Sequence, residues 1–182
     1  MLNKYDDLIM KGVILDCLGN LMLEKFGSDT WNACLIDAGF DKDARFFASQ
    51  DVEDEDTLKL VGAVCNHLNI TLEQAADVFG DYWVNNYAPK IYKIYYTLFK
   101  SSKDFLLQMD RVHLQMTKNM PNAHPPRFEY QWEDDNTLIM KYKSERNLID
   151  FLVGLIKGVG NYFNEDLDVT KLDNMNVRVK FP

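Results

Sequence analysis

Apolar residues recur at helical spacing at Phe105, Met109, Val112, Met116 and Met120. Lys103, Asp104, Gln108, Arg111, Gln115 and Lys118 fall largely on other faces, which predicts an amphipathic helix with one face inward. The pair Pro125-Pro126 then stops it. Upstream, Val13, Ile14, Leu15, Cys17, Leu18, Leu21, Met22 and Phe26 predict a helix from Lys11 to Phe26 that is apolar over a wide arc, with Gly27 as its stop. Ser28 to Gly39 reads as a second, short helix, with Ser28 or Asp29 available as cap. Another helix follows an acidic loop in DVEDEDTLKLVGAVCNHLNI. Thr71, Glu73 and Gln74 open a further one through Ala75, Ala76, Val78, Phe79 and Tyr82 towards Trp83, which Ala88-Pro89 breaks.

Past the prolines the period changes. Phe128 to Trp132 and Thr137 to Tyr142 flank the turn-prone Asp134-Asp135-Asn136, as a hairpin does. A helix over Asn147 to Phe163 buries Leu148, Phe151, Leu152, Leu155, Ile156, Val159 and Phe163. Gly154, Gly158 and Gly160 weaken it and suit a close approach to a flat ligand. Asp166 to Thr170 and Val177 to Phe181 read as strands, the latter with Val177, Val179 and Phe181 inward and Arg178 and Lys180 outward. The expected architecture is α+β, with an N-terminal helical part followed by long helices and an antiparallel sheet.

A chain of 182 residues suits one domain with room for a buried cofactor. No run is apolar enough to span a bilayer and no signal peptide is visible, so a cytoplasmic protein is expected. Twenty basic against 28 acidic side chains give a net charge of -8, which disfavours nucleic acid as a partner. Cys17, Cys34 and Cys65 are odd in number and widely spaced, indicating neither a disulfide framework nor a zinc site.

Two stretches carry candidate chemistry. His113 sits on or beside the apolar face of its helix. It reads either as a core histidine satisfied by backbone carbonyls or as a neutral imidazole offered as the single axial ligand of a buried haem iron. In YKSER, the residues Tyr142, Ser144 and Arg146 stand two apart and share one side of an extended segment, opposite Lys141, Lys143 and Glu145. An inward set of two hydroxyls and a guanidinium suits a pair of carboxylates. Alternatively, Ser144 caps the next helix and Arg146 is a solvated first-turn residue. His67, late in its helix, reads as structural, and His124 as a loop residue.

Taken together, MDRVHLQMTKNMPNAHPPRF and YKSERNLIDFLVGLIKGVGNYF resemble the haem nitric-oxide/oxygen-binding family, the gas-sensing domain shared by bacterial sensors and soluble guanylate cyclase. So do MKGVILDCLGNLMLEKFGSDTWNACLIDAGF from Met10 and AADVFGDYWVNNY from Ala75 to Tyr87. The resemblance implies a nine-residue N-terminal extension and a single sensor domain over residues 10–182, with haem b (iron protoporphyrin IX) buried between its halves. It makes His113 the proximal iron ligand and assigns Tyr142, Ser144 and Arg146 to the propionates. Pro126 would pack on the porphyrin and help keep it out of plane. Ile14, Leu18, Trp83, Phe151 and Leu155 would line the cofactor, with the first helix over its distal face.

Family members that hold dioxygen supply a hydroxyl donor, and the matching position here is Phe151, which has none. The resemblance therefore implies binding of nitric oxide and carbon monoxide and exclusion of dioxygen. Tyr82, Trp83, Asn85 and Asn86 stand as other donors for an oxygen-binding sensor or carrier. A haem-free interaction domain is the remaining alternative. The implied mechanism is that nitric oxide weakens or breaks the iron bond to His113, strain is released and the two halves shift. The readout would be a histidine kinase, a cyclic-dinucleotide enzyme or a fused methyl-accepting chemotaxis module. No catalytic constellation is recognisable, so no enzyme activity is expected.

Overall fold

The computed structural model describes residues 9–182. The expected extension therefore lies outside the described residues, except for the backbone of Ile9. The chain divides into two compact units, one drawn from Met1–Leu72 and Pro121–His124, the other from Glu73–Met120 and Pro125–Pro182.

In the first unit, β1 (Ile9–Lys11) pairs antiparallel with β2 (Asp51–Glu53), two short strands that no apolar alternation announces. Helix α1 (Val13–Asp37) is continuous except at Gly27, whose φ of 82° and ψ of 167° bend it. Gly27 thus separates the two expected helices by a kink, a left-handed position that a residue with a Cβ adopts only with strain. Leu15, Cys17, Leu18, Leu21 and Met22 are buried on its first half, whereas Phe26 lies exposed beside the bend. Helix α2 (Asp54–Leu68) buries Leu60, Val61 and Val64 and ends at Asn69, which takes the left-handed conformation that more often falls to glycine. The linker Pro121–His124 is tied to β2 by the Asn122 amide, which donates to Asp51 Oδ2 over 3.0 Å.

The second unit opens with α3 (Leu72–Tyr82), which does not stop where the sequence suggests. It runs into a π-helical turn at Trp83–Tyr87 and then α4 (Ala88–Ile91), with Pro89 in the first turn of α4, where its missing N–H costs no helical bond. The expected break at Ala88-Pro89 is therefore a widening of the helix before the proline. After α5 (Lys93–Leu98) comes α6 (Ser102–Thr117). It ends before Met120, which is exposed rather than part of the buried stripe.

A four-stranded antiparallel sheet follows in the order β3-β4-β6-β5, from β3 (Arg127–Trp132), β4 (Thr137–Lys143), β5 (Asp168–Lys171) and β6 (Asn176–Lys180). Its inner face carries Leu138, Met140, Val177 and Val179, all fully buried, and each side chain of this kind stabilises the fold by about 1.5–3 kcal/mol. Helix α7 (Ile149–Phe163) joins β4 to β5 and packs Ile149, Leu152, Ile156 and Val159 into the same core.

Gly154 and Gly158 do not approach a flat ligand, contrary to the reading of their sequence. A Cβ on Gly154 would lie 2.1 Å from the Ala76 carbonyl oxygen. One on Gly158 would lie 2.6 Å from that of Gly80, and one on Gly80 2.2 Å from the Gly154 carbonyl carbon. These glycines bring the backbones of α3 and α7 together. Gly160 is likewise filled by the Glu165 carbonyl and Leu167. The molecule is α+β, as expected.

Candidate functional site

Helix α6 is defined at its start by Ser101, whose hydroxyl accepts from the Asp104 N–H over 3.1 Å. The next residue, Ser102, is fully buried, and its hydroxyl and its N–H (3.2 Å) both donate to the Glu165 carboxylate. Three turns on, His113 is half-buried, and its Nδ1 lies 3.0 Å from the Pro126 carbonyl oxygen. A carbonyl can only accept, so Nδ1 carries the hydrogen and Nε2 is left with its lone pair. Burial pushes the imidazole pKa below its ordinary value, against the opposing pull of the Pro126 carbonyl and Asp110. The group is thus a neutral imidazole with a fixed tautomer, the form in which histidine binds a metal, its other nitrogen anchored by a backbone carbonyl.

The segment that supplies this carbonyl runs along α6 for several turns. Asp110 receives Arg127 through both oxygens, Nε to Oδ1 at 2.7 Å and Nη2 to Oδ2 at 2.6 Å, and its Oδ1 also accepts from the Phe128 N–H at 2.9 Å. The Arg127 guanidinium holds the Asp110 carboxyl below the usual carboxylate range. The Tyr130 hydroxyl donates to the Leu106 carbonyl at 2.9 Å and accepts from the Asp110 N–H at 3.3 Å. Lys103 donates to the Asp135 carbonyl at 2.9 Å and lies 4.5 Å from the Trp132 ring centroid. Sequence reasoning missed Asp110, Arg127 and Tyr130. The only trace of them is an acid three residues before His113 and a base one residue after Pro126.

Ring contacts carry the arrangement from His113 to the second motif. His113 lies 5.5 Å from Phe128, and Phe128 lies 6.3 Å from Tyr142, its register partner across β3 and β4. Tyr142 is buried and Ser144 and Arg146 are half-buried, while Lys143, Glu145 and Asn147 are exposed. The expected alternation in burial is present. The extended segment itself is shorter than expected, because β4 ends at Lys143 and residues 145–146 form a turn. The Ser144 hydroxyl accepts from the Arg146 N–H at 3.3 Å, so it supports this turn rather than capping α7.

Trp83, Phe151 and Leu155 are half-buried in the second unit. Phe79, which the sequence did not single out as a site residue, sits among them. Its ring is 5.9 Å from Trp83, stacked, and 5.6 Å from Phe151, edge-on. Trp83 in turn lies 5.5 Å from Tyr87. The Asn85 amide nitrogen is taken up by the Asp81 carboxylate and the carbonyls of Asp81 and Gly158, at 3.0, 3.1 and 3.2 Å. On α1 in the first unit, Leu18 is buried and Ile14 half-buried.

His67 pairs with Asp37 at 2.6 Å, consistent with a structural role. Among the described residues, no group of three or more His, Cys, Asp or Glu side chains is placed to hold a metal ion.

A family profile described as haem-NO-binding matches residues 11–171. Two Caenorhabditis elegans proteins, the soluble guanylate cyclases gcy-32 and gcy-34, are each 26% identical to this chain over 166 residues. The match takes in 88% of this chain and 24% of each relative, so the chain spans about a quarter of their length. The fold resembles an oxygen-binding H-NOX domain related to soluble guanylate cyclases, solved as its oxygen complex. That likeness has a TM-score of 0.78 and 24% identity, over 94% of this chain and 95% of that one. A Cs H-NOX domain carrying 4-cyano-L-phenylalanine gives a TM-score of 0.82 at 24% identity, over 94% of this chain and 96% of that one.

Proposed function

The chain belongs to the haem-NO-binding family and is a haem-binding gas-sensor domain; on that premise we propose that it takes up nitric oxide and carbon monoxide and leaves dioxygen out. The observation that supports iron ligation is the hydrogen bond from His113 Nδ1 to the Pro126 carbonyl, which leaves Nε2 unprotonated on a neutral ring, and the one that supports gas selection is Phe151, which has no donor. The residues present fit the cofactor. His113 would hold the iron, and the donors of Tyr142, Ser144 and Arg146 would take the propionates. Pro126 would bear on the macrocycle, with Trp83, Phe151 and Leu155 as apolar lining. Bound haem supplies a ferrous centre with one open position for a diatomic gas.

The chain's own residues decide which gas is retained. Dioxygen at ferrous haem draws partial negative charge outward and needs a hydrogen-bond donor, whereas nitric oxide and carbon monoxide need little of one. Phe151 offers no hydrogen, and the Asn85 amide is engaged with Asp81 and Gly158. In the ring cluster of Phe79, Trp83 and Phe151 the one hydrogen-bond donor is the Trp83 indole N–H, and Trp83 is stacked on Phe79. His113, held from one side by Pro126, can transmit a change in its own position to α6 and to the segment leading into β3. The family profile runs over residues 11–171, which supports treating residues 10–182 as one sensing domain. The partner that reads it would be a histidine kinase, a cyclic-dinucleotide enzyme or a fused chemotaxis or cyclase module.

The test is an absorption spectrum of the purified protein, reduced without oxygen and exposed in turn to nitric oxide, carbon monoxide and air. A five-coordinate ferrous haem that takes up the first two gases and forms no stable dioxygen complex is expected. His113→Gly should lose that ligation and regain it when imidazole is added. Stable oxygenation would move the oxygen-binding reading ahead, and a colourless protein that refuses haem would return His113 to the core.

A further inference from the structure

In a regular helix the Asp110 N–H donates to the carbonyl four residues back, that of Leu106. The Tyr130 hydroxyl stands against both of these groups, accepting from the Asp110 N–H at 3.3 Å and donating to the Leu106 carbonyl at 2.9 Å. One hydroxyl has one hydrogen and free lone pairs, so it can serve both groups at once. The backbone of α6 stays helical through this step, and the hydroxyl gives both groups a second partner, so this turn can open without leaving either unsatisfied.

The helix is held differently on the two sides of that turn. On the N-terminal side, Ser102 is fully buried against the Glu165 carboxylate, and Phe105 and Leu106 are in the core. On the C-terminal side, Arg111, Leu114 and Gln115 are exposed, and apart from buried Val112 the anchors are Asp110 to Arg127 and the Phe128 N–H and His113 to the Pro126 carbonyl, all on the segment entering β3 rather than on the core side that holds Ser102. We propose that Tyr130 is a positioning residue for His113: its hydroxyl is the pivot of α6, about which the turn carrying His113 moves while the first half of the helix stays fixed. This rests on the reading of His113 as the haem ligand. It adds that a tyrosine on the neighbouring strand, with no contact to the ligand, sets where that ligand sits.

The test is Tyr130→Phe, which keeps the ring and removes only the hydroxyl, with Trp132→Phe on the same strand as a control. In the haem-loaded ferrous carbon monoxide complex, amide exchange at Asp110 should accelerate about tenfold, on the scale of one lost hydrogen bond. In the ferrous haem protein, the iron–histidine stretching band should shift in Tyr130→Phe and stay in place in Trp132→Phe. In the wild type, the Tyr130 hydroxyl proton should be protected enough to be seen by NMR. An unchanged Asp110 exchange rate, or a hydroxyl proton lost to solvent, overturns the pivot. Accelerated exchange with an unmoved band reduces Tyr130 to local support of the helix and overturns its positioning role. Absence of any iron–histidine band in the wild type overturns the reading of His113 itself, an outcome told apart by the wild-type spectrum alone.

Discussion

At the scale of single residues, what distinguishes His113 from an ordinary core histidine is one bond. A buried imidazole with both nitrogens satisfied by the backbone would be structural, but Pro126 engages Nδ1, and the neighbouring Phe128 ring, tilted at 42° to the imidazole, offers no oxygen or nitrogen partner. In the proposed reading gas selection turns on Phe151, whose side chain lacks only the hydroxyl of tyrosine. Phe151→Tyr is expected to add the missing donor and convert the protein to one that forms a dioxygen complex. Spectra in air after anaerobic reduction check this, and an unchanged failure to oxygenate would mean that residue 151 does not face the bound gas. Both residues were candidates from the family resemblance, whereas Asp110, Arg127 and Tyr130 were not singled out. Their roles exist only because α6 lies against the segment entering β3, and nothing in their local pattern says which helix meets which strand.

At the scale of elements, the contact between α3 and α7 is the most tightly specified. The positions of Gly80, Gly154 and Gly158 are filled by the opposite backbone rather than by flexible side chains, so no rotamer change can make room. Gly154→Ala should destabilise the fold by about 1–3 kcal/mol or more, read as a lowered denaturant midpoint. Gly62 provides the contrast. It lies inside α2 with open space at its Cβ, so Gly62→Ala should stabilise by about 0.5–1 kcal/mol. The same seam fixes α3, which carries Phe79, relative to α7, which carries Phe151. A change in the seam is therefore expected to appear in carbon monoxide binding kinetics as well as in stability. Helical and strand periods were readable because burial repeats with the geometry of each element. The partner of a glycine is not readable in this way, since a missing side chain suits a kink, a ligand or another helix equally well.

At the scale of the whole molecule, acidic side chains set the response to pH. Asp51 is held below the usual carboxylate range by the Asn122 amide and Lys11, Glu129 by Lys143, and Asp134 and Asp173 by donors that include turn N–H groups. A carboxyl with a lower pKa in the folded than in the unfolded chain binds its proton preferentially when unfolded. Its stabilisation is present above the ordinary carboxylate value and is lost as the pH falls through the depressed one. The carboxylate contribution to the unfolding midpoint should therefore be level near neutrality and fall in acid below about pH 4. Asp51→Asn should show a shallower fall than the wild type, and equal slopes would mean that Asp51 is not among the groups responsible. No helix among the described residues is long and apolar enough to cross a membrane.

The sequence by itself, which did not mark α4 and α5, determined the α+β class, the sites of α1, α2, α3, α6 and α7 and of the four-stranded sheet, and the two motifs around His113 and Tyr142. These depend on periodicity and on residue chemistry at fixed spacing, which a linear chain displays directly. Only the tertiary structure decided that the Pro126 carbonyl fixes the His113 tautomer, and that Asp110 and Tyr130 tie its helix to β3. It also decided that the α7 glycines serve a helix rather than a ligand, and that a π-helical turn precedes Pro89. Each of these depends on which distant backbone groups become neighbours once the core has closed. That is a property of packing, which local sequence does not encode.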